Sequence, residues 1–239
     1  MTAQMQDGTT SAIIDGLLNR HSILPPGPFE DVADAVLAAN SRAAEADLRA
    51  AKLRAEARAS NWLPTLGPSV SLTSLGAVVS SLVVEQVLFD NGRKKAKRDY
   101  ARADVEVAAV TLAQDSNQRV LSALELYLTA QQAEARAGVN AAAMAQMERY
   151  AYVMSERVRG GVSTRVDAQI VQQKLNQMQA EMASDREAAA AAMNELAAMS
   201  AGSLAGLGGL SPLGTEHNAQ PLSVMKAQAE ASRALAEAI

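Results

Sequence analysis

The sequence contains no cysteine. That excludes a disulfide framework, a thiolate zinc site and a cysteine nucleophile. Histidine is almost as scarce. His21 and His217 are the only two, far apart and without partners at ligand spacing. No Gly-x-Ser-x-Gly, no His-Glu-x-x-His and no convergent acidic cluster occurs. No catalytic residue, metal or cofactor is therefore assigned, and the chain is not expected to be an enzyme. Aromatic residues make up only 3% of the chain, too few for a thick core. No apolar run reaches about 18 residues, so no transmembrane helix is expected. Met1 to Asp7 lack a basic start leading into an apolar stretch, so no signal peptide is visible. The formal charge is −4, which speaks against nucleic acid as a partner.

What is abundant is alanine, 50 of 239 residues. Alanine favours helix and lets helices approach closely. The composition therefore points to long helices packed side by side. Residues 1–28 read as a flexible leader closed by Pro25, Pro26 and Pro28. A helix is expected over 29–60, with Glu30, Asp31 and Asp34 suiting its positive N-terminal end. Pro64 ends it, because the residue before proline disfavours the helical region. Residues 65–90 are the β-rich stretch and read as a hairpin, with strands near 68–75 and 79–89 and a turn near Gly76.

From Asn91 to Arg159 only Gly138 interrupts the helical signature. A helix over 91–159 would run on the order of 100 Å at 1.5 Å per residue, a length suited to a coiled coil. Leu121, Leu124 and Leu128 step by three and four, as do Met144, Met147, Ala151, Met154 and Val158. After Gly160-Gly161 a return helix over 163–200 repeats the step through Val171, Leu175, Met178, Met182, Ala189, Met193 and Leu196. Asp185 interrupts that seam. Gln114 and Asn117 sit where the long helix's seam should pass and are either register-setting or turned to water. The methionines at this spacing read as core rather than as a peptide groove. Residues 201–221 form a Gly-rich linker without the Gly-Lys-Ser/Thr ending of a phosphate loop. A last helix opens over 222–239.

Three stretches in this order carry a resemblance. Asn61-Trp62-Leu63-Pro64 leads from helix into a Ser/Val strand. Val84-Glu85-Gln86-Val87-Leu88-Phe89-Asp90-Asn91-Gly92-Arg93 leads back to helix. Arg157-Val158-Arg159-Gly160-Gly161-Val162-Ser163-Thr164-Arg165-Val166-Asp167 forms the reversal. Together they resemble one half of a protomer of the TolC-like outer-membrane efflux protein family. The resemblance covers about residues 30–239, as one repeat plus the start of a second, and the chain is expected to be a fragment or a truncated product.

The resemblance implies a mainly α fold: long antiparallel coiled-coil helices with one short β-hairpin, half of an α-barrel/β-barrel protomer. It implies a homotrimer in the outer membrane and periplasm that serves a tripartite efflux or type I secretion system. Expected partners are a periplasmic adaptor protein, the inner-membrane transporter indirectly, and outer-membrane lipid. The expected adaptor-contact tip is Arg157, Gly160, Gly161, Val162, Ser163 and Asp167. The expected barrel–helix junction is Trp62, Leu63, Pro64, Phe89, Asp90 and Gly92. Arg93-Lys94-Lys95-Ala96-Lys97-Arg98 then reads as a solvated face near lipid phosphates. Three copies would supply six strands, fewer than the eight of the smallest ordinary barrels. The strands are also shorter than the 9–11 residues of a tilted spanning strand. The alternative is a soluble structural coiled-coil scaffold. The hairpin discriminates: a channel subunit needs alternating residues with one lipid-facing side, and a scaffold does not.

Overall fold

A computed structural model describes residues 11–20, 22–39, 42–72, 78–86, 89–201, 204, 206–212 and 219–238. His21, His217, Val87, Leu88 and the expected turn near Gly76 lie outside the described residues. The fold is mainly helical: α1 (Ala12–Leu18), α2 (Pro28–Ala38), α3 (Arg42–Ala59), β1 (Thr65–Leu72), β2 (Val78–Glu85), α4 (Arg93–Arg159), α5 (Arg165–Met199) and α6 (Leu222–Glu237). No described helix is long and apolar enough to cross a membrane. The chain divides into two compact units. One comprises residues 1–21, 41–116 and 217–239; the other comprises 22–40 and 117–216.

In the first unit, α1 lies within the expected leader. Ser11 caps it, its Oγ accepting from the Ile14 amide at 3.2 Å. Arg20 Nη1 donates to the Gln220 carbonyl at 2.8 Å, next to α6, whose Met225 and Ala229 are buried. Asp104 of α4 ties three helices together: Arg233 of α6 reaches it at 3.3 Å and Arg54 of α3 at 3.6 Å. Small residues fill the interior, with Ala51, Ala96, Ala101, Ala103 and Val110 all buried.

The hairpin is a two-stranded antiparallel sheet running from the pair Thr65↔Glu85 to the pair Leu72↔Val78. Its strands are eight residues each, and β2 ends at Glu85 rather than near 89. Pro64 explains that limit. It has no N–H to donate, so pairing stops at Thr65. Thr65 Oγ1 adds a bond to the Glu85 carbonyl at 3.2 Å.

In the second unit, Phe29, Val32 and Val36 of α2 form the core with Ala123 and Tyr127 of α4, Leu196 of α5 and Leu204. The Phe29 and Tyr127 rings meet edge to face, with centroids 6.1 Å apart. The expected single helix over 29–60 is two helices. The Ala35 carbonyl accepts the Ala201 amide at 2.8 Å, a bond from outside the helix near its end. Asn40-Ser41, residue types that favour turns, follow α2 in sequence.

The Gly-rich stretch after α5 is more than a linker. Leu204 is buried, the Tyr127 hydroxyl donates to the Gly209 carbonyl at 2.8 Å, and the Gly209 amide donates to Gln131 Oε1 at 3.0 Å. Burial, then the carboxylates of Glu134 and Asp31, push the Tyr127 phenol above its ordinary range, so it stays a donor.

The α4–α5 seam also departs from expectation. Leu121 and Leu128 are 50% and 43% exposed, whereas Ala123, Tyr127, Ala130, Ala133 and Ala137 are buried. A hydrophobicity pattern weights leucine over alanine, but close helix approach selects the small residue. Farther along, Met144, Met147, Ala151, Met154 and Val158 are half-buried, and on α5 Val171, Leu175, Met178, Ala189 and Leu196 are buried. Asp185 does interrupt the α5 seam, and there it meets Asn140 of α4 at 3.5 Å. Asn117 is exposed.

Candidate functional site

The two ends of α4 each build a distinct local structure. At the C-terminal end, the Gly161 amide donates to the Val158 carbonyl at 3.0 Å, and the Val162 amide to the Arg157 carbonyl at 2.8 Å. These two bonds make a Schellman closure, which satisfies carbonyls the helix end leaves over. It places Gly161 at φ 72°, the left-handed region that side chains with a Cβ resist. Gly160 is not so constrained.

Two residues on, Thr164 caps α5. Its Oγ1 accepts from the Asp167 amide at 3.2 Å, while Asp167 Oδ2 accepts from the Thr164 amide at 3.0 Å and its hydroxyl at 2.7 Å. This is a capping box. The Thr164 hydroxyl and amide, with a smaller contribution from Arg157, hold the Asp167 carboxyl below its usual range. The local bonds leave Arg157, Gly160, Gly161 and Asp167 exposed and Val162 69% exposed, with Ser163 half-buried. The reversal thus presents short side chains and bare backbone, and the amides of residues 160–164 are engaged within the turn itself. Asp167 is foremost a cap. Thr164 completes that cap, and the Thr-x-x-Asp spacing was the signal for it.

At the N-terminal end, the Arg93 amide donates to the Asp90 carbonyl at 3.1 Å across Asn91-Gly92. Both bridging residues have positive φ, 52° and 85°, as a type I′ turn requires. Asp90 Oδ2 then accepts the Lys94 amide at 2.7 Å, supplying an acceptor to the first turn of α4. Asn61, at the end of α3, completes the junction. Its Nδ2 donates to the Lys94 carbonyl at 3.0 Å and its Oδ1 accepts from Arg98 Nη1 at 2.8 Å. Asn61 stands within the Asn61-Trp62-Leu63-Pro64 motif, but its bracing role is not legible there, because its partners lie 33 and 37 positions away. Trp62, Leu63, Pro64 and Phe89 project apolar surface instead: Phe89 is 85% exposed, Trp62 59% and Leu63 46%.

The hairpin sorts its residues by register. Even positions pair with even ones: Leu66 with Val84, Pro68 with Leu82, Val70 with Ser80 and Leu72 with Val78. Odd positions pair Thr65 with Glu85, Gly67 with Val83, Ser69 with Ser81 and Ser71 with Val79. A strand's period of two assigns these sets to opposite sides. One set is largely aliphatic and the other mostly small or polar. Of the aliphatic set, Leu66, Leu82 and Val84 are exposed at 66%, 71% and 60%.

Residues 38–202 match the family model described as outer membrane efflux protein. No curated protein sequence matches the chain. Among solved structures, the chain is similar to a membrane protein from Pseudomonas aeruginosa, with TM-score 0.77, 17% identity and coverage of 90% of this chain and 56% of that one. It is similar to CusC, with TM-score 0.77, 15% identity and coverage of 92% and 58%. It is also similar to the outer-membrane channel OprN, with TM-score 0.70, 16% identity and coverage of 92% and 57%. At these identities the likeness is one of fold. The chain spans a little over half the length of each.

Proposed function

Because the chain belongs to the outer membrane efflux protein family, we propose that it is one repeat of an outer-membrane channel subunit whose assembled helices form a periplasmic tunnel for export. The system served is tripartite efflux or type I secretion. The subunit acts as a conduit, and we assign it no catalytic role. The observation that carries the reading is the two-sided hairpin. A strand pair meeting lipid on one side and an interior on the other needs alternating sets, and the register Leu66↔Val84, Pro68↔Leu82 against Thr65↔Glu85, Gly67↔Val83 supplies them. A soluble coiled-coil scaffold has no use for an exposed aliphatic row.

Assembly with further copies has its own support. On α4, exposed Leu121, Leu128, Val139, Tyr150 and Val153 fall at intervals of 7, 11, 11 and 3, which return to one helix face. That stripe is apolar surface a single α4–α5 hairpin leaves uncovered. In this reading the assembly is a homotrimer, completed by the second repeat that the chain begins. The α4–α5 reversal meets a periplasmic adaptor, and through it the inner-membrane transporter.

The test is at the reversal. Val162→Asp or Ser163→Trp, placed in the full-length protein, is expected to abolish export and crosslinking to the adaptor. Trimer formation and membrane insertion should persist, because neither side chain makes one of the bonds that close the turn. Normal export with normal crosslinking in both variants would remove the docking assignment.

A further inference from the structure

An open cleft of about 910 Å³ lies beside the hairpin base, walled by the end of α3, the first turns of α4 and the end of α6. Its lining carries the cations Arg54, Arg58, Arg93 and Lys97 and the carboxylates Asp90, Asp104 and Glu237. Two of the carboxylates are already engaged: Asp90 by the Lys94 amide, and Asp104 by Arg54 and Arg233. Arg58, Arg93 and Lys97 have no ion-pair partner among the described residues, and all three are exposed. With four cations against three carboxylates, the lining carries one positive charge in excess, and its three unpaired cations are the groups free to meet a ligand. A net positive cleft of this kind suits an anion with several oxygens, since guanidinium groups grip phosphate in a two-pronged fashion.

The surroundings select the source of that phosphate. Lining residue Asn61 is followed directly by exposed Trp62 and Leu63, and lining residue Asp90 is preceded by exposed Phe89. The exposed aliphatic row of the hairpin begins at Leu66 and Val84. A ligand with an anionic head and an apolar body matches both halves, and tryptophan favours the membrane interface. A nucleic acid would leave the aliphatic row unexplained. We propose that this cleft binds the phosphate headgroup of an anionic phospholipid, fixing the level at which the hairpin meets the membrane. The proposal rests on the channel reading above.

The test is co-flotation of the full chain with vesicles of phosphatidylethanolamine alone, or of an equal mixture with phosphatidylglycerol. The chain should prefer the mixed vesicles, and added salt should weaken that preference. Each cation near an anionic surface gives roughly a fivefold gain, so the triple variant Arg58→Gln, Arg93→Gln, Lys97→Gln should bind mixed vesicles about 100-fold more weakly. A matched triple on the helical hairpin, Arg149→Gln, Lys174→Gln, Arg186→Gln, should bind as the parent does. The charge-keeping triple Arg58→Lys, Arg93→Lys, Lys97→Arg should retain binding, which separates charge from folding. Equal binding to both vesicles, or equal losses in the two Gln triples, overturns the proposal. Tighter binding of inorganic phosphate in solution than of the mixed vesicles, lost in the same Gln triple, overturns lipid as the source. Export is not read here, so failure of the tip assignment and failure of this one are distinct results.

Discussion

The two ends of α4 solve the same problem with opposite means. Both must end a helix and hand the chain to another element. The reversal does so with neighbours only: every bond that closes it joins residues within six positions. The hairpin junction adds bonds across 33 and 37 positions, through Asn61. The contrast separates their roles. A locally closed turn keeps its shape whatever touches it, so its side chains are free to serve as a contact surface. A junction closed at long range couples the hairpin to the helices, so a disturbance there should spread.

The largest expected effect tests that coupling. Asn61→Ala removes both long-range bonds, the one to the Lys94 carbonyl and the one from the Arg98 guanidinium. It should cost about 2 kcal/mol in chemical denaturation, in line with the loss of one ordinary and one charge-assisted hydrogen bond. Amide exchange should rise in both the last turn of α3 and the first turns of α4. A rise confined to α3 would break the comparison.

At the reversal the effects should be smaller and confined. Gly161→Ala forces a Cβ into the left-handed region and should cost about 1–2 kcal/mol. Gly160→Ala should be close to neutral, since a Cβ there meets the Glu156 carbonyl at an ordinary 3.4 Å. Equal losses in the two would contradict the Schellman assignment.

Next is the cap. Thr164→Ala should cost about 1 kcal/mol at neutral pH. The Asp167 carboxyl titrates lower in the folded chain than in the unfolded one. Its contribution is therefore complete above the ordinary aspartate range and is lost as pH falls through the lower folded value. The melting-temperature gap between the parent and Asp167→Asn should narrow over that acidic interval. A gap that widens on acidification would reverse the sign of the argument.

The smallest effect has the opposite direction. Gly138 lies mid-helix in α4 with nothing near its would-be Cβ. Gly138→Ala should stabilise by about 0.5–1 kcal/mol. A loss instead would mean that position 138 is covered in the assembled protein.

The same contrast explains what was legible in the sequence. Long helices, the hairpin and the Gly-Gly reversal follow from periodicity, β-branched residues and turn residues, all local signals. The capping box stands in the sequence as Thr164-x-x-Asp167, a local signal, and its formation leaves the exposed Asp167 side chain's contact role to be tested. The division of 29–60 into α2 and α3 was not legible, since the Ala201 amide that meets the Ala35 carbonyl lies 166 positions away. Burial of Leu204 and the bonds to Gly209 are likewise long-range. The seam near residue 121 was misplaced because alanine, not leucine, fills it. Asn61 was invisible as a brace for the same reason of distance.

The central claim is that the hairpin meets lipid with one side and an interior with the other. The absence of cysteine from this chain makes single-site labelling direct. Leu82→Cys, Val83→Cys, Val84→Cys and Glu85→Cys, introduced singly into the membrane-assembled protein and labelled with a fluorophore, can be probed with a lipid-borne quencher. The account predicts strong quenching at 82 and 84 and weak quenching at 83 and 85. Uniform quenching, or none at any of the four positions, would contradict it.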